Sequence, residues 1–285
     1  SSARKTEVVD VVTGESCADL ANFPLANNGA VGANLNETPI VCGGVYSSYY
    51  QTCYKFSNGG WQEFASMKEK RSWAAGVMHK NKLHVFGGYG GNGLTSNTTE
   101  LVSVDGIVEY GPELPQAVWM HTITSINSTV SLLSGGITSA TSFSPLTWYF
   151  NHETNLFSSG PSLLVGRYGH GSAICVDKVT NEKIPMVTGG LGSGGRLDST
   201  ELLINGHWQS GTIQCPKKAT PLLKWQEKDF RQTQIHYILK ARAHSVIKLA
   251  TNESKTVYRI SSYSFRGNYS FLTLALCTVT FDHST

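Results

Sequence analysis

Short runs of alternating apolar and polar residues recur along the first three quarters of the chain. Side chains of a β-strand point to opposite faces in turn, so such runs predict strands with one buried face. The clearest runs are TCYKF, TELVSV, TWYF and TELLI, which begin at Thr52, Thr99, Thr147 and Thr200. Nothing between them indicates a helix, and we expect these segments to fold as antiparallel β-structure.

Each of these runs is followed by a turn signal. Asn-Gly at 58–59 and 205–206 and Asp-Gly at 105–106 supply the two positive-φ residues of a type I′ turn, which predicts a tight hairpin. The segment NHETNLF at 151–157 occupies the same place after the third run.

Glycine pairs close a second set of apolar runs, IVC, HVF, LLS and MVT, and are separated by 44, 48 and 54 residues. Glycine accepts positive φ and the close approach of another strand, so we expect each pair to end a strand where a side chain has no room. These repeat glycines are Gly43, Gly44, Gly87, Gly88, Gly135, Gly136, Gly189 and Gly190.

The repeated unit is therefore two hairpins, or four antiparallel strands, in roughly 45–50 residues, which is typical of a propeller blade. The glycine pair, the downstream turn and aromatic residue, and the RYGHGS type of entry into the next unit resemble kelch repeats. The resemblance covers residues 6–218, and the whole is similar to secreted invertebrate kelch-repeat proteins. It implies an all-β fold, a kelch-type β-propeller of four-stranded antiparallel blades with four recognisable repeats.

The two ends of the chain fit this repeat differently. Residues 6–17 match the outer hairpins of the repeats, so the chain begins with half a blade, and the resemblance implies that residues 6–20 pair with strands from the C-terminal end. Only Gly267 of the 29 glycines follows Thr212, so we divide the chain into blades at 1–218 and a divergent tail at 219–285. Residues 242–262 look like an inner hairpin with serines replacing the glycines. Either the tail is a degenerate blade that closes the ring irregularly, or it is non-native sequence and the ring is incomplete.

Two stretches, at 88–93 and 190–195, also match the G-x-G-x-x-G spacing of dinucleotide-binding loops. That site needs a helix opening at the third glycine, whereas polar loops and strands follow both stretches. We therefore interpret them as loops and predict no nucleotide site.

The histidines do not form a ligand set by their spacing. His79 and His84 lie on opposite arms of one predicted hairpin, and His121 and His170 lie where innermost strands begin. Motifs of serine hydrolases, zinc proteases and P-loop enzymes are absent. We predict no catalytic residue, no metal and no cofactor.

Charge and hydropathy exclude two classes of partner. Charged residues make up 15% of the chain, the net charge is +3, and the densest basic segment, 67–71, also contains a glutamate. Nucleic-acid binding needs clustered basic residues, so we expect none. The longest apolar run, 271–281, is shorter than the roughly 18 residues of a membrane span.

Cysteines and glycosylation motifs favour an extracellular, secreted protein. Six cysteines occur without a C-x-x-C pair, and the opening SSARKTEV fits a product whose leader has been removed. Cys42 and Cys53 flank one loop on adjacent strands, and we predict a disulfide between them. The sequence leaves the pairing of Cys17, Cys175, Cys215 and Cys277 open. N-x-[ST] acceptors occur at Asn36, Asn97, Asn127, Asn252 and Asn268.

The loops after the glycine pairs, 45–51, 89–98, 137–144 and 191–199, are the predicted binding surface, because a propeller's strands serve as its scaffold. Aromatic side chains are favoured contact residues, and the candidates are Tyr46, Tyr49, Tyr50, Tyr89 and Asn92. We expect a scaffold that binds an unidentified protein or glycan. The alternative, from another class, is a carbohydrate-active or copper-dependent oxidase-type propeller enzyme.

Overall fold

A computed structural model describes residues 4–10, 16–139, 142–176, 182–211, 244–250 and 255–261. Within these ranges the chain is all-β and contains no α-helix. The strands form four-stranded antiparallel sheets, which confirms the predicted class and the four-strand unit.

Four sheets correspond to the four sequence repeats, and we number them as units. Unit 1 contains β3 (Val31–Leu35), β4 (Thr38–Cys42), β5 (Thr52–Ser57) and β6 (Gly60–Ser66). Unit 2 contains β8 (Ala75–His79), β9 (Lys82–Phe86), β11 (Thr99–Ser103) and β12 (Val108–Tyr110). Unit 3 contains β13 (Thr122–Ser125), β14 (Val130–Ser134), β17 (Thr147–Asn151) and β18 (Leu156–Ser159). Unit 4 contains β19 (Gly171–Val176), β20 (Lys183–Thr188), β23 (Thr200–Ile204) and β24 (His207–Gly211). In every unit the strands pair in chain order.

Three two-stranded ladders lie beside the glycine pairs of units 2, 3 and 4. They are β7 (Arg71–Ser72) with β10 (Tyr89–Gly90), β15 (Ile137–Ser139) with β16 (Ser142–Phe143), and β21 (Leu191–Gly192) with β22 (Gly195–Arg196). We call this end of each sheet the loop end, and the opposite end, where the tight hairpins lie, the turn end.

A fifth sheet joins the two ends of the chain, and we call it the terminal sheet. It contains β1 (Thr6–Asp10), β2 (Ser16–Asp19), β25 (His244–Ala250) and β26 (Lys255–Ser261), in the order β2-β1-β26-β25. The N-terminal strands are thus the outer pair and the C-terminal hairpin is the inner pair, which is the predicted pairing. The innermost strands of the sheets contact one another in the order β25, β3, β8, β13, β19.

Two of the three predicted type I′ turns are confirmed and one is wrong. At 58–59 and 205–206 both residues have positive φ, with Asn58 at 52° and Gly59 at 76°. In the turn at Asp105, however, only Gly106 has positive φ, and its N–H donates to the carbonyl of Ser103 at 3.0 Å. That arrangement is a type I turn followed by a left-handed glycine, so Asp-Gly here closes a longer hairpin loop.

The glycine pairs end the second strand of each unit where the next unit packs closely. All eight glycines have positive φ. A Cβ on Gly87 would lie 2.4 Å from the carbonyl oxygen of Val118, and the N–H of Gly88 donates to that same carbonyl at 2.9 Å. The pair is therefore both a turn and a contact surface for the following unit, and a side chain there would separate the two.

A chain of backbone hydrogen bonds links the units at their inner edges. The N–H of Trp73 donates to the carbonyl of Gly29, that of Met120 to Trp73, and that of Gly169 to Met120, at 2.7, 2.9 and 2.9 Å. All four residues have positive φ and occupy the same position in successive units. The core lies between neighbouring sheets: one apolar cluster joins units 1 and 2, the next joins units 2 and 3, and a third joins units 3 and 4.

Two buried ion pairs hold the outer strands of units 2 and 4 to the segment that enters each unit. Arg71 donates to Glu100 at 2.7 Å, and Arg167 donates to Glu201 at 2.5 Å. Each glutamate also accepts two backbone N–H groups, which for Glu201 come from Leu164 and Val165. These additional hydrogen bonds to the carboxylate offset part of the cost of removing the two charges from water.

Units 1 and 3 have uncharged residues in place of the ion pair: Asn27 and Val118 at the arginine position, and an aromatic residue at the glutamate position. Where units 2 and 4 have Glu100 and Glu201, these units have Tyr54 and Trp148. Where units 2 and 4 place the first N–H donor to the carboxylate, at Lys68 and Leu164, units 1 and 3 have proline, at Pro24 and Pro115. Proline has no N–H, so the donor is absent in the same units as its acceptor.

Candidate functional site

The predicted binding tyrosines lie at the loop end, but the structure brings only some of them together. Tyr46 is 56% exposed and Asn92 is exposed, and neither contributes to an aromatic cluster. Tyr50 is partly buried, and its backbone N–H donates to the carbonyl of Gly44. The rings of Tyr49 and Tyr89, from the loops of units 1 and 2, lie 6.1 Å apart.

Two tryptophans extend this contact into a row. The ring of Tyr89 lies 5.1 Å from that of Trp119, which lies 5.4 Å from that of Trp73. All four side chains are partly exposed. We call Tyr49, Tyr89, Trp119 and Trp73 the aromatic row; it joins residues of units 1, 2 and 3.

The backbone of the inner edges explains why the tryptophans belong to this surface. Trp119 forms an antiparallel bridge with Ile137, and Trp73 is one of the positive-φ residues of the inter-unit hydrogen-bond chain. Both tryptophans pack on a cluster that contains buried Met120 and Tyr168. The aromatic row is thus fixed to the scaffold at one end and carried by loops at the other.

The disulfide stabilises the loop that carries Tyr49. Cys42 and Cys53 are bonded, as predicted, and both are fully buried. The disulfide closes an 11-residue separation, and the N–H of Gly43 donates to the carbonyl of Thr52 just inside it at 3.0 Å. A bridge between Val45 and Tyr49 orders the tip. Cross-linking of this kind limits the conformations available to the loop.

The phenol of Tyr49 is a neutral hydrogen-bond donor at physiological pH. Burial, together with the neighbouring Tyr89, raises the pKa of Tyr49 above its ordinary value. Aromatic side chains with apolar rings and polar tips are enriched at the centre of protein recognition surfaces.

The histidines predicted to be structural are buried in the scaffold. His121 and His170 begin innermost strands and are 4% and 0% exposed. Burial lowers the pKa of His121 to about 4 and that of His170 to about 3. Among the described residues, no group of three His, Cys, Asp or Glu side chains is arranged to hold a metal ion.

The glycine-rich stretches form loops, as interpreted. After Gly88 the chain forms a tight loop in which the N–H of Gly90 donates to the carbonyl of Leu94 at 2.8 Å, and β11 follows. After Gly190 comes the short β21–β22 hairpin, and β23 follows. Neither stretch opens a helix.

The predicted modification sites have different surroundings. Asn36 and Asn127 are exposed at the turn end. The Nδ2 of Asn97 donates to Glu113 at 3.0 Å. The Sγ of Cys175 lies 3.5 Å from the Sδ of Met186. Other candidates lie outside the described residues: Asn252, Asn268, Cys215 and Cys277.

No protein-family model matches this chain, and no curated protein matches it by sequence. In the part of the chain that the structure describes, no helix is long and apolar enough to cross a membrane.

Proposed function

We propose that this chain is a secreted kelch-type β-propeller that acts as a binding scaffold, with the aromatic row as the centre of its binding surface for a protein or glycan partner. The observation that carries the proposal is the aromatic row itself. Loops from two units and the inner edges of the sheets place four partly exposed aromatic rings in consecutive contact, 6.1, 5.1 and 5.4 Å apart.

Two features of the chain support the propeller, and a third supports secretion. Four similar sheets follow one another with their innermost strands in contact, and the terminal sheet is built from both ends of the chain. Pairing the N- and C-terminal strands removes edges that would otherwise remain open to aggregation. A disulfide between Cys42 and Cys53 supports an oxidising compartment, because such bonds persist mainly in secreted proteins.

Mass analysis of the secreted protein tests its compartment. We expect its mass to fall on enzymatic deglycosylation, and we expect Cys42 and Cys53 to be recovered in one linked peptide before reduction. An unmodified chain from a eukaryotic secretory host would contradict the secreted, glycosylated part of the proposal and leave the binding part untouched.

Alanine substitutions test the binding surface. The wild-type protein is first screened on a glycan array and on a library of secreted proteins, and the affinity of the strongest ligand is then measured by calorimetry. We expect Trp119→Ala and Tyr89→Ala to weaken binding by about 30-fold, because buried aromatic anchors dominate such surfaces. The matched control is Tyr110→Ala, a 53% exposed tyrosine on β12, for which we expect less than a twofold change. Equal affinity of Trp119→Ala and wild type for every ligand found would contradict the proposal.

A further inference from the structure

A polar cavity of about 520 Å³ lies at the turn end, between units 2 and 3. It is away from the aromatic row, which lies at the loop end of the same sheets. Its lining combines hydroxyl, amide, imidazole and charged groups with a single thioether: Met78, His79, Lys80, Ser125, Asn127, Ser128, Thr129, His152 and Glu153.

The charged groups of this cavity neutralise each other. The Nζ of Lys80 lies 2.8 Å from an Oε of Glu153. The rings of His79 and His152 stack with their centroids 4.4 Å apart and an interplanar angle of 12°. Burial and the adjacent His79 lower the pKa of His152 to about 4, so this ring is neutral at pH 7. A cavity rich in donors and acceptors, whose lysine and glutamate are paired with each other, fits a polyhydroxylated ligand better than an ion.

Asn127 stands in this lining with its side chain fixed. Its Oδ1 accepts hydrogen bonds from the N–H of Thr129 at 2.9 Å, the hydroxyl of Thr129 at 3.1 Å and the N–H of Val130 at 2.8 Å. Three donors on one atom identify it as the amide oxygen. Because the amide is planar, the direction of Nδ2 is fixed as well, and within the described part of the chain Nδ2 makes no hydrogen bond.

Asn127, Ser128 and Thr129 also form an N-x-[ST] acceptor. We propose that the cavity is a saccharide subsite, occupied by the first N-acetylhexosamine of a glycan carried on Asn127 Nδ2. This proposal rests on the secretory origin proposed above. In the transfer, the amide nitrogen bonds to the anomeric carbon of a lipid diphosphate-linked oligosaccharide and loses one proton, while the lipid diphosphate leaves with the electron pair of the broken C–O bond.

The other sequons do not share these surroundings. Asn36 is exposed in the β3–β4 turn and does not line the cavity. The amide nitrogen of Asn97 is already hydrogen-bonded to Glu113. Asn36 is therefore the matched control: an exposed turn asparagine whose glycan would have no such cavity beside it.

The test compares two single-sequon variants secreted from a eukaryotic host, one retaining only Asn127 and the other only Asn36, with glutamine at the remaining acceptors. An endoglycosidase trims each glycan to one N-acetylglucosamine. The same polypeptides from a bacterial host supply the sugar-free forms, so no folding defect of a new variant enters the comparison. The readouts are the NMR signals of His79 and His152 and the rate at which diethyl pyrocarbonate modifies them.

We expect the single sugar on Asn127 to slow modification of both histidines by about fivefold, since a seated ligand loses most of its exposed surface and covers its site. The sugar on Asn36 should leave these rates unchanged. Titrating the sugar-free protein with N-acetylglucosamine separates the two sources of saccharide: a saturable shift of the histidine signals without modification of Asn127 would assign the cavity to a free sugar and overturn the proposed occupant.

Two further outcomes are decisive. If Asn36 carries a glycan while Asn127 is bare, or carries a sugar without effect on either histidine, the cavity proposal is wrong and secretion stands. If neither asparagine is modified, the secretory origin fails and the proposed occupant fails with it.

Discussion

Replacing Arg167 by methionine isolates the contribution of a buried ion pair in unit 4. The side chains of Arg167 and Glu201 are 0% and 2% exposed. The guanidinium also donates to the carbonyls of Gly189 and Ser199. Methionine keeps an unbranched apolar stem but removes every donor. The carboxylate of Glu201 then loses its cationic partner and the carbonyl of Gly189 loses the guanidinium, whereas the carbonyl of Ser199 still accepts from the N–H of Gly189.

We expect Arg167→Met to lower the free energy of unfolding by about 3 kcal/mol. Breaking a buried pair on one side costs roughly 3–5 kcal/mol, because the remaining charge is uncompensated. The lower end applies because the N–H groups of Leu164 and Val165 still donate to Glu201, and hydrogen bonds to a carboxylate offset part of its desolvation.

Urea unfolding at pH 7 measures the change in the free energy of unfolding, provided that its dependence on urea concentration is the same in the variant and the wild type. The control is Lys82→Met, which removes an exposed pair with Glu109 at 3.2 Å and should cost less than about 1 kcal/mol. A loss below about 1 kcal/mol for Arg167→Met would refute the uncompensated-charge reasoning.

A triple variant then tests whether unit 4 accepts the apolar arrangement of unit 3. Arg167→Val, Glu201→Trp and Leu164→Pro together copy Val118, Trp148 and Pro115. Replacing a whole buried ionic group by packed apolar residues is often neutral or stabilising, so we expect the triple variant to be more stable than Arg167→Met. A triple variant less stable than the single one would show that the two arrangements are not interchangeable.

Three other measurements test the scaffold. Removing the Cys42–Cys53 disulfide by double serine substitution should lower stability by about 3 kcal/mol, and equal unfolding midpoints with and without reductant would contradict this. Gly135→Ala places an alanine at positive φ, with its Cβ 2.4 Å from the carbonyl oxygen of Arg167, and should lower the free energy of unfolding by at least about 2 kcal/mol. The control is Gly194→Ala, which has open space around it and should change the free energy of unfolding by less than about 0.5 kcal/mol. Burial lowers the pKa of His121 to about 4 in the folded protein, so as the pH falls below about 6.5 this histidine is protonated in the unfolded chain before it is protonated in the folded one. Between those two pH values, His121 therefore lowers the free energy of unfolding by about 1.4 kcal/mol per pH unit. Neither ring nitrogen of His121 has a hydrogen-bond partner among the described residues, so His121→Leu should reduce that slope between pH 7 and 5 without lowering stability at pH 7; an unchanged slope would contradict the assignment.

Periodicity predicted the strands because each one is specified locally. The alternation in TELVSV and TELLI, and the Asn-Gly turns at 58–59 and 205–206, depend on residues that are neighbours in sequence. The error at Asp105 has a local cause too. Asp-Gly is compatible with both a two-residue turn and a longer loop ending in a left-handed glycine. Here the hydroxyl of Ser103 donates to the carbonyl of Ile107 across the loop, which stabilises the longer form.

The aromatic row was only half predictable. Tyr49 and Tyr89 lie in loops that the glycine pairs identify, so their exposure followed from the repeat. Trp73 and Trp119 lie just before innermost strands, a place where sequence indicates scaffold. Their contribution depends on ring contacts between residues 30 or more positions apart, which a local pattern cannot predict. The corresponding positions of unit 4 carry Tyr168, in place of Trp119, and Gly169, in place of Trp73, so the size of the side chains before the innermost strand differs between units.

The coupled positions of the four units show where the repeat is constrained and where it is free. A carboxylate on the third strand occurs only with an N–H donor in the entry segment, and an aromatic residue only with proline, in all four units. In both combinations the carboxylate and its first N–H donor are present together or absent together, whereas a carboxylate combined with proline would lose that donor. The loops that follow the glycine pairs obey no such pairing: that of unit 1 is closed by a disulfide, that of unit 2 carries Tyr89, and those of units 3 and 4 form short hairpins. Such variation is expected if packing between units constrains the strands and ligand contact selects the loops.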